Sequence, residues 1–329
     1  MWSAPKARFT SSVHSRTCSN RTAPLVGRNG DRDDHSQAST HGGPTVETLN
    51  GIEEWRQWCE RTRRAGQTVG LVPTMGALHE GHASLVRAAR ARGDEVLMTI
   101  FVNPRQFDDA RDLAAYPSTP DDDERTAEAA GVSVLVRPTV EEMWPAFPHP
   151  TLTSVSVAGL SASFEGHDRP GHFDGVASVV SKLLIVTGPC SLYMGEKDFQ
   201  QVAVVRQFID DLGFAVQLHA CPTIRDEDGL ALSSRNRRLS SEGRRRAVSV
   251  SRALAHLAEG TWRASEARRF LSESLREAGL DVAYAEVVHP NSLVPVSAGD
   301  SGVGRALVAV RVEGVRLIDN GPVRLEGEN

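Results

Sequence analysis

The sequence predicts an α/β protein with a doubly wound parallel sheet and a smaller C-terminal α+β domain. From about residue 47 to residue 223, short apolar runs of strand length alternate with helical patterns, which is typical of parallel βαβ units. After residue 223, two helical patterns come first and a group of strand patterns follows. A chain of 329 residues is long enough for two hydrophobic cores. We therefore predict domains over 46–223 and 224–324, between tails at 1–45 and 325–329.

The elements of the first domain follow one another in a regular order. Apolar residues spaced three and four apart predict its helices, and short apolar runs predict its strands. The helices are "TLNGIEEWRQWCERTRRAG", "GHASLVRAARARGD", "DDDERTAEAAGV", "FDGVASVVSKLLIVTGP" and "QQVAVVRQFIDDLGF"; the strands are "TVGLVPT", "EVLMTIFV", "VSVLVRP", "SLYMG" and "AVQLHACPT". Because ligands of such sheets bind at the carboxyl ends of the strands, the residues that follow each strand are the candidates for function.

The second domain has fewer elements. Two helices are predicted over "SSEGRRRAVSVSRALAHLAEG" and "ASEARRFLSESLREAGL". The stretches "VAYAEVVHP" and "RALVAVRVEGVRLID" predict two or three strands.

Composition excludes several classes of protein. The net charge of −5 argues against a general nucleic-acid binder. The most apolar run, 176–186, is short and contains Lys182, so no membrane span is predicted. The four cysteines have neither zinc-site nor C-x-x-C spacing, which favours reduced, buried thiols and a cytoplasmic location.

The first 45 residues differ from the rest in composition. Their first 30 contain five basic residues and no acidic one. A transit peptide, a disordered tail and an initiator at Val46 all fit this composition. We favour a dispensable tail, because the amphipathic arginine stripe of a transit peptide is weak here; a transit peptide would instead direct the chain to an organelle.

The stretch "VPTMGALHEGHASLV" (72–86) places His79 and His82 where a strand meets a helix. Three residues apart on a first helical turn, the two rings share one face. Free backbone N–H groups at such a turn attract an anion, and imidazole adds donors for a phosphate. The spacing alone leaves open whether the histidines bind phosphate or only cap the helix.

Two more turns have anion-binding character. In "GEKDFQQ" (195–201), Lys197 is placed like a phosphate-binding lysine and Asp198 like an acceptor for ribose hydroxyls. In "TIRDEDGLALSSRN" (223–236), Ser233 and Ser234 precede Arg235, so hydroxyl, backbone N–H and guanidinium donors together could cradle a triphosphate. Each turn alone also fits a solvated surface, but three such turns together favour nucleotide binding.

Amides and carboxylates follow another strand in "FVNPRQFDDARDLAAYPSTPDDDE" (101–124). Asn103 and Gln106 suit a hydroxy-acid substrate, because an amide donates to a carboxylate and accepts from a hydroxyl. Asp121, Asp122 and Asp123 are either helix N-terminal charges, the interpretation we favour, or outer ligands for Mg²⁺. A further loop, "FEGHDRPGHFDGV" (164–176), precedes the long helix and could cover a site; the spacing of His167 and His172 supports no role for either.

Taken together, these blocks resemble the pantothenate synthetases, the pantoate–β-alanine ligase family of the nucleotidyltransferase superfamily. "PTMGALHEGH", "IFVNPRQF", "EGHDRPGHFDGV", "GEKDFQQ", "GLALSSRN" and "RLIDN" match the family's motifs in the family's order, over about residues 46–322. The resemblance implies a Rossmann-like domain with a C-terminal lid, a homodimer, and the substrates pantoate, β-alanine and ATP, with Mg²⁺. It also implies a pantoyl-adenylate intermediate, with release of pyrophosphate and then AMP.

The resemblance also implies roles for individual residues. His82 matches the family's proton donor, and His79, Lys197 and Arg235 are the other residues expected in catalysis. Pantoate and β-alanine are expected at Gln106, Gln201, Asn103 and Tyr116, and metal at Asp122 and Asp123. ATP is expected at Pro73, Thr74, Met75, Gly76, His79, His82, Gly195, Glu196, Lys197, Asp198, Ile224, Leu232, Ser233, Ser234 and Arg235.

The chain departs from the family pattern at Asp108, where glycine is usual, and at Ser118, where arginine is common. Both positions affect the loop near the predicted substrate and metal region. Two other functions fit the nucleotide-binding turns: another nucleotidyltransferase and a non-catalytic nucleotide-binding regulator. Matches at Gln106 and Gln201 argue against the first, and the intact His79 and His82 argue against the second.

Overall fold

Six parallel strands form the larger of two sheets in the computed structural model, which describes residues 46–327. The strands are β1 (Glu47–Leu49), β2 (Val69–Thr74), β3 (Glu95–Ile100), β4 (Val134–Val136), β5 (Cys190–Gly195) and β6 (Val216–Cys221), in the order β1-β4-β3-β2-β5-β6. Every neighbouring pair is parallel, which confirms the predicted sheet. The predictions for residues 1–45 lie outside the described residues.

Helices cover both faces of this sheet. They are α1 (Ile52–Arg64), α2 (Glu80–Ala91), α3 (Ala110–Ala114), α4 (Pro120–Ala130), α5 (Val140–Met143), α6 (Glu165–Asp168), α7 (His172–Thr187) and α8 (Phe199–Leu212). Alternate residues of β2 enter different cores: Leu71 packs with Trp55 of α1, whereas Val72 packs with Val86 of α2. The two cores on opposite faces make the sheet doubly wound, as predicted.

Four short helices and strands of the first domain are absent from the sequence prediction. The strand β1 overlaps the beginning of the stretch predicted as the first helix, and it pairs with β4 at the sheet edge. A strand of three residues is too short to show an alternating pattern, so its pairing depends on tertiary contacts. The helices α3, α5 and α6, of four or five residues each, lie in stretches that carry no helical prediction.

The smaller sheet is mixed and lies in the C-terminal part of the chain. Its strands are β7 (Thr261–Trp262), β8 (Asp281–Val288), β9 (Gly302–Val312) and β10 (Val315–Leu325), in the order β7-β10-β9-β8, and the helices α9 (Ser241–Glu259) and α10 (Ala264–Glu277) share its core. Among the described residues, this sheet thus has four strands where two or three were predicted. The strand β7 was not predicted, because it has only two residues. The smaller C-terminal α+β domain is confirmed, and its exact boundaries stay predictions.

A two-residue turn sets the register of the long hairpin in this sheet. Glu313 and Gly314 have φ angles of 51° and 77°, the left-handed values of a type I′ turn. Val312 therefore pairs with Val315, and the register continues along both strands.

The strand order changes direction between β2 and β5. The chain leaves β2 through β3 toward β4, and later returns to β5 on the other side of β2. The helices that follow these two strands diverge there and leave a crevice, which is where such sheets bind ligands. Among the described helices, 46–327, none is both long and apolar enough to span a membrane.

Candidate active site

A cavity of about 260 Å³ opens at this switch point. The ends of β2, β3 and β5 form its floor, and the segment 222–235 forms a wall. Most of the predicted site residues line it: Pro73, Thr74, Met75, His79, His82, Asn103, Gln106, Tyr116, Gly195, Lys197, Asp198, Gln201, Ile224, Leu232, Ser233, Ser234 and Arg235. The predicted residues that do not line it are Gly76, Glu196, Asp122 and Asp123.

The histidine pair begins α2. His79 is the N-cap residue, and its Nδ1 accepts from the backbone N–H of Gly81 at 3.1 Å. The Nδ1 of His82 accepts from the backbone N–H of His79 at 3.3 Å, and the two ring centroids lie 4.2 Å apart. A neutral imidazole with an accepting Nδ1 carries its proton on Nε2. The capping interpretation and the phosphate interpretation are thus compatible, because Nδ1 caps the helix and Nε2–H is left as a donor.

Burial keeps both rings neutral. Burial, together with the neighbouring His79, lowers the pKa of His82 to about 3. Burial also lowers the pKa of His79 to about 4, with added repulsion from Lys197 and Arg237. At neutral pH the pair therefore offers uncharged N–H donors, while Lys197 and Arg235 supply positive charge.

The expectation of free backbone N–H groups at this turn was wrong for most of them. The N–H groups of Ala77 and Leu78 donate to the carboxylate of Asp123, and those of His79 and Gly81 donate to the imidazoles. These four donors are occupied within the protein. The donors left available at this turn therefore belong mainly to side chains.

Asp122 and Asp123 differ in environment. Asp122 is exposed and pairs with Arg125. Asp123 is buried, and its oxygens accept from Leu78 N–H at 2.7 Å, Ala77 N–H at 3.1 Å and the Thr119 hydroxyl at 3.0 Å. Among residues 46–327, no group of three or more His, Cys, Asp or Glu side chains is arranged to hold a metal ion. The geometry therefore does not favour the predicted metal site at this pair.

The turn Glu196–Asp198 follows β5 and places Lys197 at the cavity. The Nζ of Lys197 lies 3.7 Å from Oδ1 of Asp198. Asn320 of β10 donates from Nδ2 to the carbonyls of Glu196 and Lys197, both at 2.9 Å. The Glu196 carboxylate pairs with Arg305 at 3.3 Å, away from the cavity. Sequence reasoning matched Asn320 within "RLIDN" but gave it no role; the structure shows that it fixes the lysine turn.

The loop that contains Ser233 and Ser234 (residues 223–236, the serine loop) is held at both ends. The backbone N–H of Leu232 donates to the carbonyl of Ile224 at 2.9 Å. Ser233 caps the short 3₁₀ turn Ser234–Arg238 by accepting from the backbone N–H of Arg235 at 3.3 Å. The guanidinium of Arg235 in turn binds Asp112 of α3. Arg235 is therefore oriented before any ligand binds.

The side-chain amides of Asn103 and Gln106 form a rigid amide cluster. Asn103 is 1% exposed; its Nδ2 donates to Gln106 Oε1 at 3.0 Å and to the Gly175 carbonyl at 3.2 Å, and its Oδ1 accepts from Trp144 at 3.0 Å. Gly175 admits no side chain, because a Cβ there would lie 2.2 Å from the Arg105 carbonyl oxygen. Asn103 thus holds Gln106 in place.

Two cavity residues beside Gln106 were given no role by the sequence analysis. Nδ1 of His172 lies 2.8 Å from the Gln106 carbonyl oxygen, and Arg169 donates to the same oxygen at 3.2 Å. Both side chains line the cavity. Burial lowers the pKa of His172 to about 4, with Arg169 contributing. The only available signal was the glycine-rich loop around them, because their partner lies more than 60 residues away in sequence.

The unusual Asp108 contacts this group. Its Oδ1 accepts from Nε of Arg169 at 3.1 Å. Asp108 therefore adds an ion pair to Arg169, a residue that lines the cavity.

A parallel α/β sheet with imidazole, lysine and arginine donors at its switch point defines a Rossmann-like protein of the nucleotide-binding class. A family model described as pantoate-beta-alanine ligase matches residues 47–322. The chain belongs to the pantoate–β-alanine ligase family and is an enzyme of that family, as its motifs predicted.

Individual relatives agree with this family. The chain is 48% identical over 284 residues to pantothenate synthetase from Chelativorans sp. (strain BNC1), covering 85% of this chain and 98% of that one. Pantothenate synthetase from Thermus thermophilus has a similar solved structure, with a TM-score of 0.77 and 43% identity over 84% of this chain and 98% of that one. The pantoate-beta-alanine ligase from Francisella tularensis, solved with beta-gamma ATP and β-alanine, gives a TM-score of 0.70 and 32% identity over 84% and 97%.

Proposed function

We propose that this enzyme condenses pantoate with β-alanine at the expense of ATP, through a pantoyl-adenylate intermediate. One observation carries the proposal: two imidazoles with free Nε2–H groups, a lysine and an arginine line the same cavity as a buried amide cluster. The donors suit a triphosphate, and the amides suit a hydroxy acid. The ATP and β-alanine bound by the Francisella tularensis relative support the same substrates.

In the first step, a carboxylate oxygen of pantoate attacks the α-phosphorus of ATP, and the bond to the β-phosphate oxygen breaks. Negative charge develops on the phosphoryl oxygens and on the departing pyrophosphate. We assign the Nε2–H groups of His79 and His82 to the phosphoryl oxygens, and Lys197 and Arg235 to the leaving pyrophosphate. Pre-positioned donors stabilise such charge without reorganising during the reaction.

We infer that His82 donates a hydrogen bond and does not transfer a proton. With its pKa near 3, the ring carries one proton at neutral pH, and that proton stays on Nε2. Pyrophosphate is a good leaving group, so full protonation is unnecessary.

In the second step, the amine of β-alanine attacks the acyl carbon of pantoyl adenylate and AMP leaves. We place pantoate against Gln106 and Gln201, with β-alanine toward Gln106, and adenosine against Asp198 and the Ile224 main chain. The adenylate reacts readily with water, so the site must exclude water. Contacts such as Asn320 to the lysine turn support closure of the C-terminal part over the cavity.

Magnesium fits this site as a companion of ATP. The cavity lining contains one carboxylate, Asp198, and Mg²⁺ typically binds through one or two carboxylates together with substrate phosphates and water. We propose that Asp198 would help to hold Mg²⁺, which would supply charge neutralisation at the triphosphate when bound with ATP.

We further propose a cytoplasmic homodimer. Cys59, Cys190 and Cys221 are free and buried, which suits a reducing compartment. Sedimentation analysis of the purified chain tests the dimer; a monomer at micromolar concentration would contradict it.

An assay of AMP release tests the function. A chain starting near residue 46 and the full-length chain are each given ATP, Mg²⁺, pantoate and β-alanine. We expect AMP formation that requires both organic substrates, with similar rates for the two lengths. Formation of a stable nucleotide-linked product without AMP would indicate a different nucleotidyltransferase, and no turnover would indicate a non-catalytic protein.

A further inference from the structure

The turn before His79 has a strained backbone. Ala77 has φ = 49°, which lies in the left-handed region that residues other than glycine and asparagine rarely adopt. It follows Gly76, whose φ is 83°. Ala77 is 2% exposed, so water does not compensate its backbone groups. A non-glycine residue keeps such a conformation only where its surroundings enforce it.

The carboxylate of Asp123 binds the backbone of this turn. Its Oδ2 accepts from Ala77 N–H and its Oδ1 from Leu78 N–H, at 3.1 and 2.7 Å. Asp123 is 3% exposed, and the Thr119 hydroxyl donates to Oδ1 at 3.0 Å. A Cβ on Gly76 would lie 2.9 Å from Oδ2, so the turn and the carboxylate are in close contact.

The next N–H groups along the chain belong to the histidine pair. After Ala77 and Leu78 donate to Asp123, His79 donates to the ring of His82 and Gly81 donates to the ring of His79. The orientation of both imidazoles therefore depends on where this turn lies.

We propose that Asp123 is a positioning residue: it holds the strained Gly76–Leu78 turn so that His79 and His82 present Nε2–H to the phosphates. This inference rests on the proposed function, because its tests measure the rate of AMP formation. Its role differs from metal binding, because three protein donors already engage its two oxygens.

The central test compares Asp123→Asn with Asp121→Asn, an exposed aspartate on the same helical turn. Asparagine has nearly the same shape but directs an NH₂ group at one of the two backbone donors. We expect kcat for AMP formation to fall about 10- to 100-fold in Asp123→Asn, on the scale of a hydrogen bond to a buried charged group. We expect little change in Asp121→Asn, and the same Mg²⁺ concentration at half-maximal rate in both variants. A normal kcat in Asp123→Asn, or a rate restored by added Mg²⁺, would overturn the proposal. If the wild-type protein itself formed no AMP, the proposed function would be rejected instead.

A rescue and a spectrum separate positioning from general destabilisation. Glycine adopts positive φ without a steric penalty, so adding Ala77→Gly to Asp123→Asn should recover the rate several-fold. In ¹⁵N spectra of histidine-labelled protein, the wild type should show Nε2–H tautomers for both rings, and Asp123→Asn should show mixed tautomers. Absence of rescue together with unchanged ring spectra would overturn the proposal.

Thr119→Val provides a second variant in case Asp123→Asn fails to fold. It removes only the hydroxyl donor to Asp123 Oδ1. We expect a kcat reduced about 2- to 5-fold, the scale of one lost hydrogen bond, with an unchanged Mg²⁺ requirement. An unchanged kcat would contradict the proposed role.

Discussion

The guanidinium of Arg235 lies 3.0 Å from the carboxylate of Asp112, which also contacts Arg238 at 3.5 Å. This carboxylate joins α3, beside the parallel sheet, to the serine loop that forms a wall of the cavity. Arg235 lines the cavity in which we propose that ATP binds, whereas Arg238 is outside the cavity lining. The two arginines share a partner but differ in access to this cavity.

This difference predicts unequal effects of two alanine variants. Arg235→Ala should lower kcat/KM for ATP about 100-fold, because it removes a charged donor from the developing pyrophosphate. Arg238→Ala should lower it by about 5-fold at most, because an exposed ion pair contributes about 1 kcal/mol or less. Steady-state kinetics with ATP varied at saturating pantoate and β-alanine checks both. Equal losses in the two variants would contradict the assignment of Arg235 to the phosphates.

The buried histidines predict a pH-dependent stability. The ordinary pKa of 6.5 falls to about 4 for His79 and His172 and to about 3 for His82 in the folded protein. Below the ordinary pKa, the unfolded chain binds more protons than the folded one, so the free energy of unfolding falls as the pH drops through this window. Urea titrations at about pH 7.5 and about pH 5 should show this decrease.

His82→Gln provides the control for this prediction. The variant lacks one of the titrating rings, so the fall in its free energy of unfolding between the two pH values should be smaller than in the wild type. An equal fall in both proteins would show that His82 does not carry a lowered pKa.

Asn320 predicts a link between the smaller sheet and the lysine turn. Its Nδ2 donates to the carbonyls of Glu196 and Lys197, and its Oδ1 accepts from Arg305 at 2.7 Å. Asn320→Asp places an oxygen against two carbonyls and should lower kcat/KM for ATP about 10-fold or more. The exposed Asn291→Asp adds the same charge and should have little effect. A wild-type rate in Asn320→Asp would show that this contact does not position Lys197.

The ion pair of Glu165 and Arg316 predicts a large effect on stability. Glu165 is 6% exposed, accepts from Arg316 Nε at 3.1 and 3.2 Å, and also accepts from the Tyr284 hydroxyl at 3.1 Å. Arg316→Met leaves this buried carboxylate with Arg169, at 3.9 Å, as its remaining cationic partner. The loss of the closer arginine should reduce the free energy of unfolding by about 3 kcal/mol. The exposed Arg311→Met should have little effect.

A double variant separates the loss of a partner from the loss of packing. In Glu165→Gln combined with Arg316→Met, no buried charge is left unpaired, so part of the lost stability should return. Chemical denaturation of the wild type, Glu165→Gln, Arg316→Met and the double variant measures the four free energies of unfolding. A double variant less stable than Arg316→Met would contradict the ion-pair explanation.

Much of the fold could be predicted because its signals are local. The spacing of Ile52, Trp55 and Cys59 marks α1, and the apolar run around Leu71 marks β2. The strand β1 could not be predicted, since three residues carry no period and their pairing with β4 is a long-range contact. The chemistry of the site was also visible from residue types at strand ends.

What the sequence could not reveal was how the site residues are supported. The histidines fitted either capping or phosphate binding, and only their Nδ1 contacts show that they cap the helix in a way that is compatible with phosphate binding through Nε2–H. Asp123 fitted a helix charge or a metal ligand, because nothing local links it to a turn 45 residues earlier. Asn320 and Arg169 likewise act through partners distant in sequence.

Exchange of labelled pyrophosphate into ATP is the decisive measurement for the proposed adenylation. We predict that the enzyme with Mg²⁺ and pantoate, but without β-alanine, exchanges pyrophosphate into ATP, because adenylation precedes and is independent of the amine. His82→Ala should slow this exchange about 100- to 1,000-fold, the scale for loss of one charge-stabilising donor. Exchange that requires β-alanine, or a His82→Ala variant that exchanges at the wild-type rate, would contradict the proposed mechanism.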